Sequence, residues 1–351
     1  MTEPVREGGA CSEPEGTWVV GPGSGWRLEW ATGGLMAGSV KAVVGHADWV
    51  RSAATAVIDG RAVVVTGADD EFVLVWDLAT GERIGAVLPA RGSVWAVVTE
   101  MVDGRPVAVV ADPSALVEAW DLADGRRLAS LPGGVWAAAT GRVNGRGVVV
   151  IGRQRDPRLL LWDPATGETV GDLVTDSAAG RIGSVVAVAT AVVDGHTKAV
   201  TLHDDSTVVA WCLTERRYHG QVAPSTGGNN QRVSLTAAVT CGRLVAVTGS
   251  WDGQVQVWDV AARKEVTECA PLTAHTGPVW ALATAVVGGR PFVVTGGDDR
   301  TVRVWDLATH HQVGSDLVFP SEVTAVTMAS DGRLVVGLDG DIAVLAPQPG
   351  A

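Results

Sequence analysis

Val-Val-Thr-Gly-Ala-Asp-Asp-Glu-Phe-Val-Leu-Val-Trp-Asp, residues 64–77, returns as Val-Val-Thr-Gly-Gly-Asp-Asp-Arg-Thr-Val-Arg-Val-Trp-Asp at residues 293–306. Each copy reads as a short β-branched run, a turn rich in Gly and Asp, and a second run ending in Trp-Asp; both runs are too short for helices and have strand composition. Working outward, Trp-Asp recurs at Trp120-Asp121, Trp162-Asp163 and Trp258-Asp259. Trp211-Cys212 keeps the Trp alone, and a last copy ends at Val344-Leu345-Ala346 with neither. From Trp76 to Leu345 the spacings are 44, 42, 49, 47, 47 and 40 residues, each the length of one four-stranded sheet in a radially repeated fold. Within the units, Asp59-Gly60, Asp103-Gly104, Asn144-Gly145, Asp194-Gly195, Gly288-Gly289 and Asp331-Gly332 stand between the first two strands, where positive φ is cheap and a tight hairpin is favoured. No window of a dozen residues has helical periodicity. The expected class is all-β, a closed seven-bladed β-propeller of four-stranded antiparallel blades.

Gly45-His46, Thr66-Gly67, Asp70 and Trp76-Asp77 together resemble the Trp-Asp repeat propellers, and Ala274-His275, Thr295-Gly296, Asp299 and Trp305-Asp306 hold the same offsets. The resemblance implies a structural role for His46, Thr66, Asp70 and Trp76, and for His275, Thr295, Asp299 and Trp305, as buried hydrogen-bonded sets tying strands a, b and c of a blade. Five copies depart from it by lacking the His, with Ala90, Leu131 and Arg181 among the replacements. The turn Asp persists at Asp156, Asp205, Asp252 and Asp339, and Ser114 replaces it once. The resemblance further implies that each unit supplies strands a to c of one blade and the next segment supplies strand d. The last blade then takes its outer strand from the start of the chain, and residues 36–44 are expected to provide it, removing an open edge. This divides the chain into an N-terminal extension, 1–34, with a candidate hairpin over 17–30, and a propeller over 35–351. Trp30, 46 residues before Trp76, makes a partial eighth blade from residues 17–44 the alternative.

A formal net charge of −12 argues against nucleic acid, whose phosphates require clustered Lys and Arg, and against anionic membranes. No stretch approaches the roughly 20 apolar residues that span a bilayer, and the opening residues lack the pattern of a secretory signal. A soluble cytoplasmic protein, monomeric by itself, is expected. Cys11, Cys212, Cys241 and Cys269 fit no Cys-x-x-Cys spacing and read as free thiols. His310-His311 and the doublets Asp69-Asp70, Asp204-Asp205 and Asp298-Asp299 lack the spacing of a metal site, and Gly21-Pro-Gly-Ser-Gly25 lacks the Lys-Ser/Thr of a phosphate loop. No metal and no cofactor are expected. His46, Asp70 and Thr66 offer the groups of a nucleophilic triad, but their duplication at fold-defining offsets marks them as structural. The chain is read as having no catalytic residue.

Of fourteen Trp residues six belong to the repeat, and three others, Trp95, Trp136 and Trp280, share one position at the entry to strand a. Arg51 takes that place in its own copy, with Trp49 two residues earlier, and Val186, Ser234 and Thr324 take it elsewhere. Strand a is innermost, and the b–c turn lies at the end where strand a begins, so both should meet on one rim around the central channel. Trp49, Arg51, Trp95, Trp136, Arg155, Asp204, Arg232, Trp251, Trp280 and Asp298 are the candidate partner-binding residues there. Trp and Arg are the residues enriched in binding hot spots. The expected function is a non-catalytic scaffold that binds a protein or peptide partner on this rim. The alternative is a small-molecule or glycan site in the channel mouth, in its enzymatic form with Asp204 or Asp298 supplying acid–base groups.

Overall fold

The computed structural model of the chain describes residues 25–32, 45–114, 116–153, 156–174, 183–225, 231–266, 272–273 and 275–348. Seven antiparallel sheets follow one another around a ring, and no helix occurs among the described residues. Blade one shows the order: strand a (Val50–Ile58) pairs with b (Arg61–Ala68), b with c (Phe72–Asp77), and c with a short outer strand d (Leu88–Pro89). The a–b hairpins turn as their dipeptides require. Asp59, Asp103, Asn144 and Asp194 sit at φ of 49 to 53°, each followed by a Gly at 76 to 79°; Cys241-Gly242 makes the same turn in blade five.

The outer strand of blade seven is not drawn from residues 36–44, which lie outside the described residues. It is Trp26–Ala31, paired antiparallel with the last strand, Ile342–Pro347, with Leu28 opposite Leu345 and Trp30 opposite Val344. The strand therefore belongs to the propeller and not to an extension, and the slot that residues 36–44 were expected to fill is taken. A bulge between Leu28 and Trp30 turns two aromatic side chains to opposite sides. Trp26 joins the cluster shared with blade six, whereas Trp30 faces blade one, where its Nε1 donates to Leu78 O at 2.9 Å. Trp30 is thus the clasp of the seventh blade, not the repeat Trp of an eighth. Of the candidate hairpin over 17–30, residues 17–24 lie outside the described residues.

Burial is organised between blades. Each of seven hydrophobic clusters lies between two neighbouring sheets. At the top of strand a, Val50, Val94, Val135, Val185, Val279 and Val323 are fully buried knobs. Most enter a gap left by a glycine on strand b of the preceding blade: a Cβ on Gly67 would stand 2.2 Å from Val94, and one on Gly152 2.4 Å from Val185. Nearer the axis, where adjacent strands a share no backbone ladder, hydroxyls join them. Thr99 Oγ1 donates to Thr55 O at 2.6 Å, Thr284 to Ala237 O at 2.8 Å and Thr324 to Val50 O at 2.6 Å. The last of these links blade seven to blade one and closes the inner ring.

Candidate functional site

Three blades contain one proton relay. In blade one, Trp76 Nε1 donates to Thr66 Oγ1 (2.9 Å), the Thr66 hydroxyl donates to His46 Nε2 (2.8 Å), and Nδ1–H donates to the Asp70 carboxylate (3.0 Å). In this assignment each donor in the chain is used once and the imidazole is neutral, protonated on Nδ1. Blade six repeats it with Trp305, Thr295, His275 and Asp299. Burial would raise the Asp299 carboxyl, but donors from His275 and Thr301 hold it well below the usual carboxylate range. Blade four reaches the same arrangement by another route. Arg181 stands at the His offset, outside the described residues, and His203 at the end of strand b supplies the ring: Trp211 Nε1 to Thr201 Oγ1 (3.0 Å), Thr201 to His203 Nε2 (2.9 Å), and His203 Nδ1 to Gly183 O (2.8 Å). Thr66, Thr201 and Thr295 are fully buried, so none is a presented nucleophile. In blade seven the b–c turn is a residue shorter than in blade six; Asp341, not Asp339, is the carboxylate held inside, accepting from Thr32 Oγ1 at 2.9 Å.

The relay gives folding a pH dependence. Burial holds His46 and His203 below their ordinary value, against the opposing pull of Asp70 on the first and of the Gly183 carbonyl on the second. Both are neutral when folded and take up a proton at about pH 6.5 when unfolded, so their contribution is complete above that value and lost as pH falls through the lowered folded values. Urea midpoints should be level at neutral pH and fall below pH 6.5, by at most about 1.4 kcal/mol per pH unit per histidine. His203→Asn should flatten the fall, and an unchanged slope would exclude a neutral His203.

At the rim, b–c turns meet the loops that enter strand a: Asp69 N donates to Trp49 O, Asp298 N to Pro278 O and Trp251 N to Gln231 O. Trp49, Arg51, Trp95, Trp136, Trp280, Asp298 and Glu322 converge on one cavity of 470 Å³ at the mouth of the channel. The rings are open to solvent: Trp49 is 37% exposed, Trp95 44% and Trp251 48%, with Trp136 and Trp280 half-buried. They form two pairs, Trp95 with Trp136 (centroids 5.9 Å apart, 42° tilt) and Trp251 edge-on to Trp280 (4.9 Å, 78°). Carboxylates set their orientation. Asp69 accepts from Arg51 Nε at 2.9 Å while the guanidinium lies over Trp49, and Trp280 Nε1 donates to Asp298.

Trp251 is outside the cavity lining, packed on Trp280, and two further candidates are placed differently from the expectation. Asp204 is exposed but does not line the cavity, because Val186 opposite it has no donor; its carboxylate caps Ser184 N at 3.0 Å instead. Arg232 borders the cavity yet is only 3% exposed. Its Nη1 donates to Ser206 O (2.7 Å) and Pro224 O (2.9 Å), its plane lies over Trp258, and its burial lowers its pKa. The register explains this: Arg232 pairs with Ser250 as Val50 pairs with Ala68, so it is the knob of blade five, and Val233, not Ser234, is the rim residue. A shift of one residue in a strand exchanges the two faces. Leu202 fills the gap that glycine leaves in other blades, and the knob that would have entered it has become an Arg directed outward between sheets. Arg155 lies outside the described residues.

Comparison with known proteins agrees with the geometry. The model of the family "WD domain, G-beta repeat" matches residues 227–259 and 266–306, in blades five and six. Among solved structures, the WD40 β-propeller domain of Doa1 matches with a TM-score of 0.69 at 19% sequence identity, over 93% of this chain and 98% of that one. At that identity the likeness is one of fold. No curated protein matches. A seven-bladed all-β ring with this relay defines the class. Two of its repeats match the WD40 family model, and the chain has the fold of a seven-bladed Trp-Asp (WD40) repeat propeller.

Proposed function

We propose that the chain is a non-catalytic platform that holds a protein or peptide partner on the rim where strands a begin. The observation that carries this reading is the convergence of four tryptophans from four blades, Trp49, Trp95, Trp136 and Trp280, on one cavity at the channel mouth, with Trp95 paired to Trp136 and Trp251 packed edge-on against Trp280. A large rigid ring left in water is costly unless a partner covers it, and rings of this kind are the usual anchors of interfaces. Charge narrows the partner's chemistry. Of the two arginines at the cavity, Arg51 is engaged by Asp69 and Arg232 is buried with its guanidinium bonded to backbone carbonyls, while Asp298 and Glu322 add negative charge beside aromatic faces. This favours a segment that inserts a cationic side chain, held by carboxylates and by ring faces.

The test is capture of cellular partners, followed by binding measurements with the partner so identified. Trp95→Ala, Trp136→Ala and Trp280→Ala should each weaken binding by about 2 kcal/mol or more and leave folding largely intact, and binding should weaken as salt rises. If all three destabilise the fold as much as Trp305→Ala does, the rings are core and the rim is not the site. A second reading, a small apolar or glycan ligand, is favoured by the cavity's size alone, since 470 Å³ lies within the usual range for such sites. Quenching of Trp fluorescence by small ligands, with no protein captured, would select it.

A further inference from the structure

In four blades the Asp of Trp-Asp turns the chain into strand d and pairs with an Arg that opens strand b: Arg105 with Asp121 (3.4 Å), Arg146 with Asp163 (2.5 Å), Arg243 with Asp259 (3.6 Å), and Arg290 with Asp306. The residue after the a–b hairpin is Arg in six blades, as Arg61 and Arg333 complete the set. Blade four alone changes both members. His196 opens its strand b, and Cys212 follows its Trp. An ion pair of hard groups has become an imidazole and a thiol, two ligands of borderline and soft metals.

The turn after Cys212 adds Glu215. One ligand atom from each of His196, Cys212 and Glu215 lies within 4.8 Å of the other two. His219, on strand d, brings its Nε2 to 3.8 Å from the second carboxylate oxygen of Glu215. His196 Nδ1 and His219 Nε2 are both shielded from solvent and neither has a hydrogen-bond partner, although both face the same carboxylate at 4.0 and 3.8 Å. Two such nitrogens around one carboxylate and one buried thiol are costly as a hydrogen-bond network and natural as a ligand set.

We propose that His196, Cys212 and Glu215, with His219 facing the fourth position, form a zinc site on the rim opposite the tryptophan cavity. Thiolate, carboxylate and two neutral imidazoles balance the charge of a divalent ion; the Cys212 thiol releases its proton to solvent on binding. Four-coordinate zinc, with bonds of about 2.0–2.3 Å, draws its donors closer than they stand here. Glu215, in an exposed turn, and His196, at the start of a strand, can make that movement. Arg217, whose Nε lies 3.8 Å from Glu215, is the competing cation and is mostly exposed. The site ties strands b, c and d of blade four where the other blades use an ion pair.

The test titrates zinc, and cobalt as its spectroscopic stand-in, into the full chain freed of metal by a chelator. One equivalent should bind, cobalt should give thiolate charge-transfer and four-coordinate d–d bands, and zinc should raise the melting temperature. His196→Arg combined with Cys212→Asp installs the ion pair of the neighbouring blades. It should fold like the parent and lose the bands and the zinc-dependent rise. His196→Ala alone should weaken zinc binding by more than about tenfold. Cys11→Ser, Cys241→Ser and Cys269→Ser together should retain all three signals. Absence of one-equivalent binding, bands that survive loss of His196 and Cys212, or bands that vanish with the three serine replacements would each overturn the site.

Discussion

Truncation that removes residues 1–32 should abolish the cooperative folding transition, whereas truncation that stops at residue 24 should leave it unchanged. The shorter truncation keeps strand Trp26–Ala31 and its ladder with Ile342–Pro347; the longer one removes two buried tryptophans on opposite faces of blade seven. Each buried Trp lost to a cavity costs about 3–5 kcal/mol, and two together cost roughly 6–10 kcal/mol. That is comparable with the whole stability of a typical domain, about 5–15 kcal/mol. The exposed edge of Ile342–Pro347 would add a template for aggregation. Trp30→Ala should take about half of the loss, since it removes one ring and the bond to Leu78 O. Circular dichroism melts with light scattering decide the matter: equal melting of the two truncations would mean that another segment closes the ring.

How the ring closes was the part of the fold least legible in the sequence. Blade number, hairpin turns and the order of strands a to c follow from local grammar, because each turn dipeptide and each Trp-Asp acts within a few residues. Closure depends on a pairing across more than 300 residues, and Trp26–Ala31 and residues 36–44 are both short segments of strand length that local pattern alone cannot rank. The internal bulge that lets Trp26 and Trp30 face opposite sides further hides the period of two.

The rim was legible for a related reason. Trp95, Trp136 and Trp280 are placed by their distance from the b–c turn of their own blade, and all three reach the cavity. Arg232 is one residue out of register with the rim position: its ladder partner is Ser250, as Ala68 is that of Val50, which a count along the sequence does not reveal. His203 was missed because a relay is defined by where a ring nitrogen lies, not by the segment that carries it. Cys212 carried no signal alone. Its meaning lies in the simultaneous change of its cross-strand neighbourhood at His196, visible only when the seven copies are aligned as strands.

Trp76→Ala should be the most damaging single substitution in blade one, and Trp162 supplies its control. Both indoles are fully buried, so alanine leaves a cavity costing about 3–5 kcal/mol at either. Only Trp76 heads a relay, and its loss also deprives Thr66 of a donor in a chain that ends at His46 and Asp70. In blade three, Ile151 occupies the place of that Thr, and Trp162 Nε1 is buried with no hydrogen-bond partner. Replacement by Phe separates the contributions. Trp162→Phe removes an unpaired buried donor, which offsets part of the lost packing, whereas Trp76→Phe breaks a made bond and leaves the threonine short of one. The difference between the two Phe variants should be about 1–3 kcal/mol in favour of Trp162→Phe, read from urea midpoints at constant m-value. Equal costs would show that the relay headed by the repeat Trp, which ends on an Asp in blades one and six and on the Gly183 carbonyl in blade four, adds nothing to stability beyond packing.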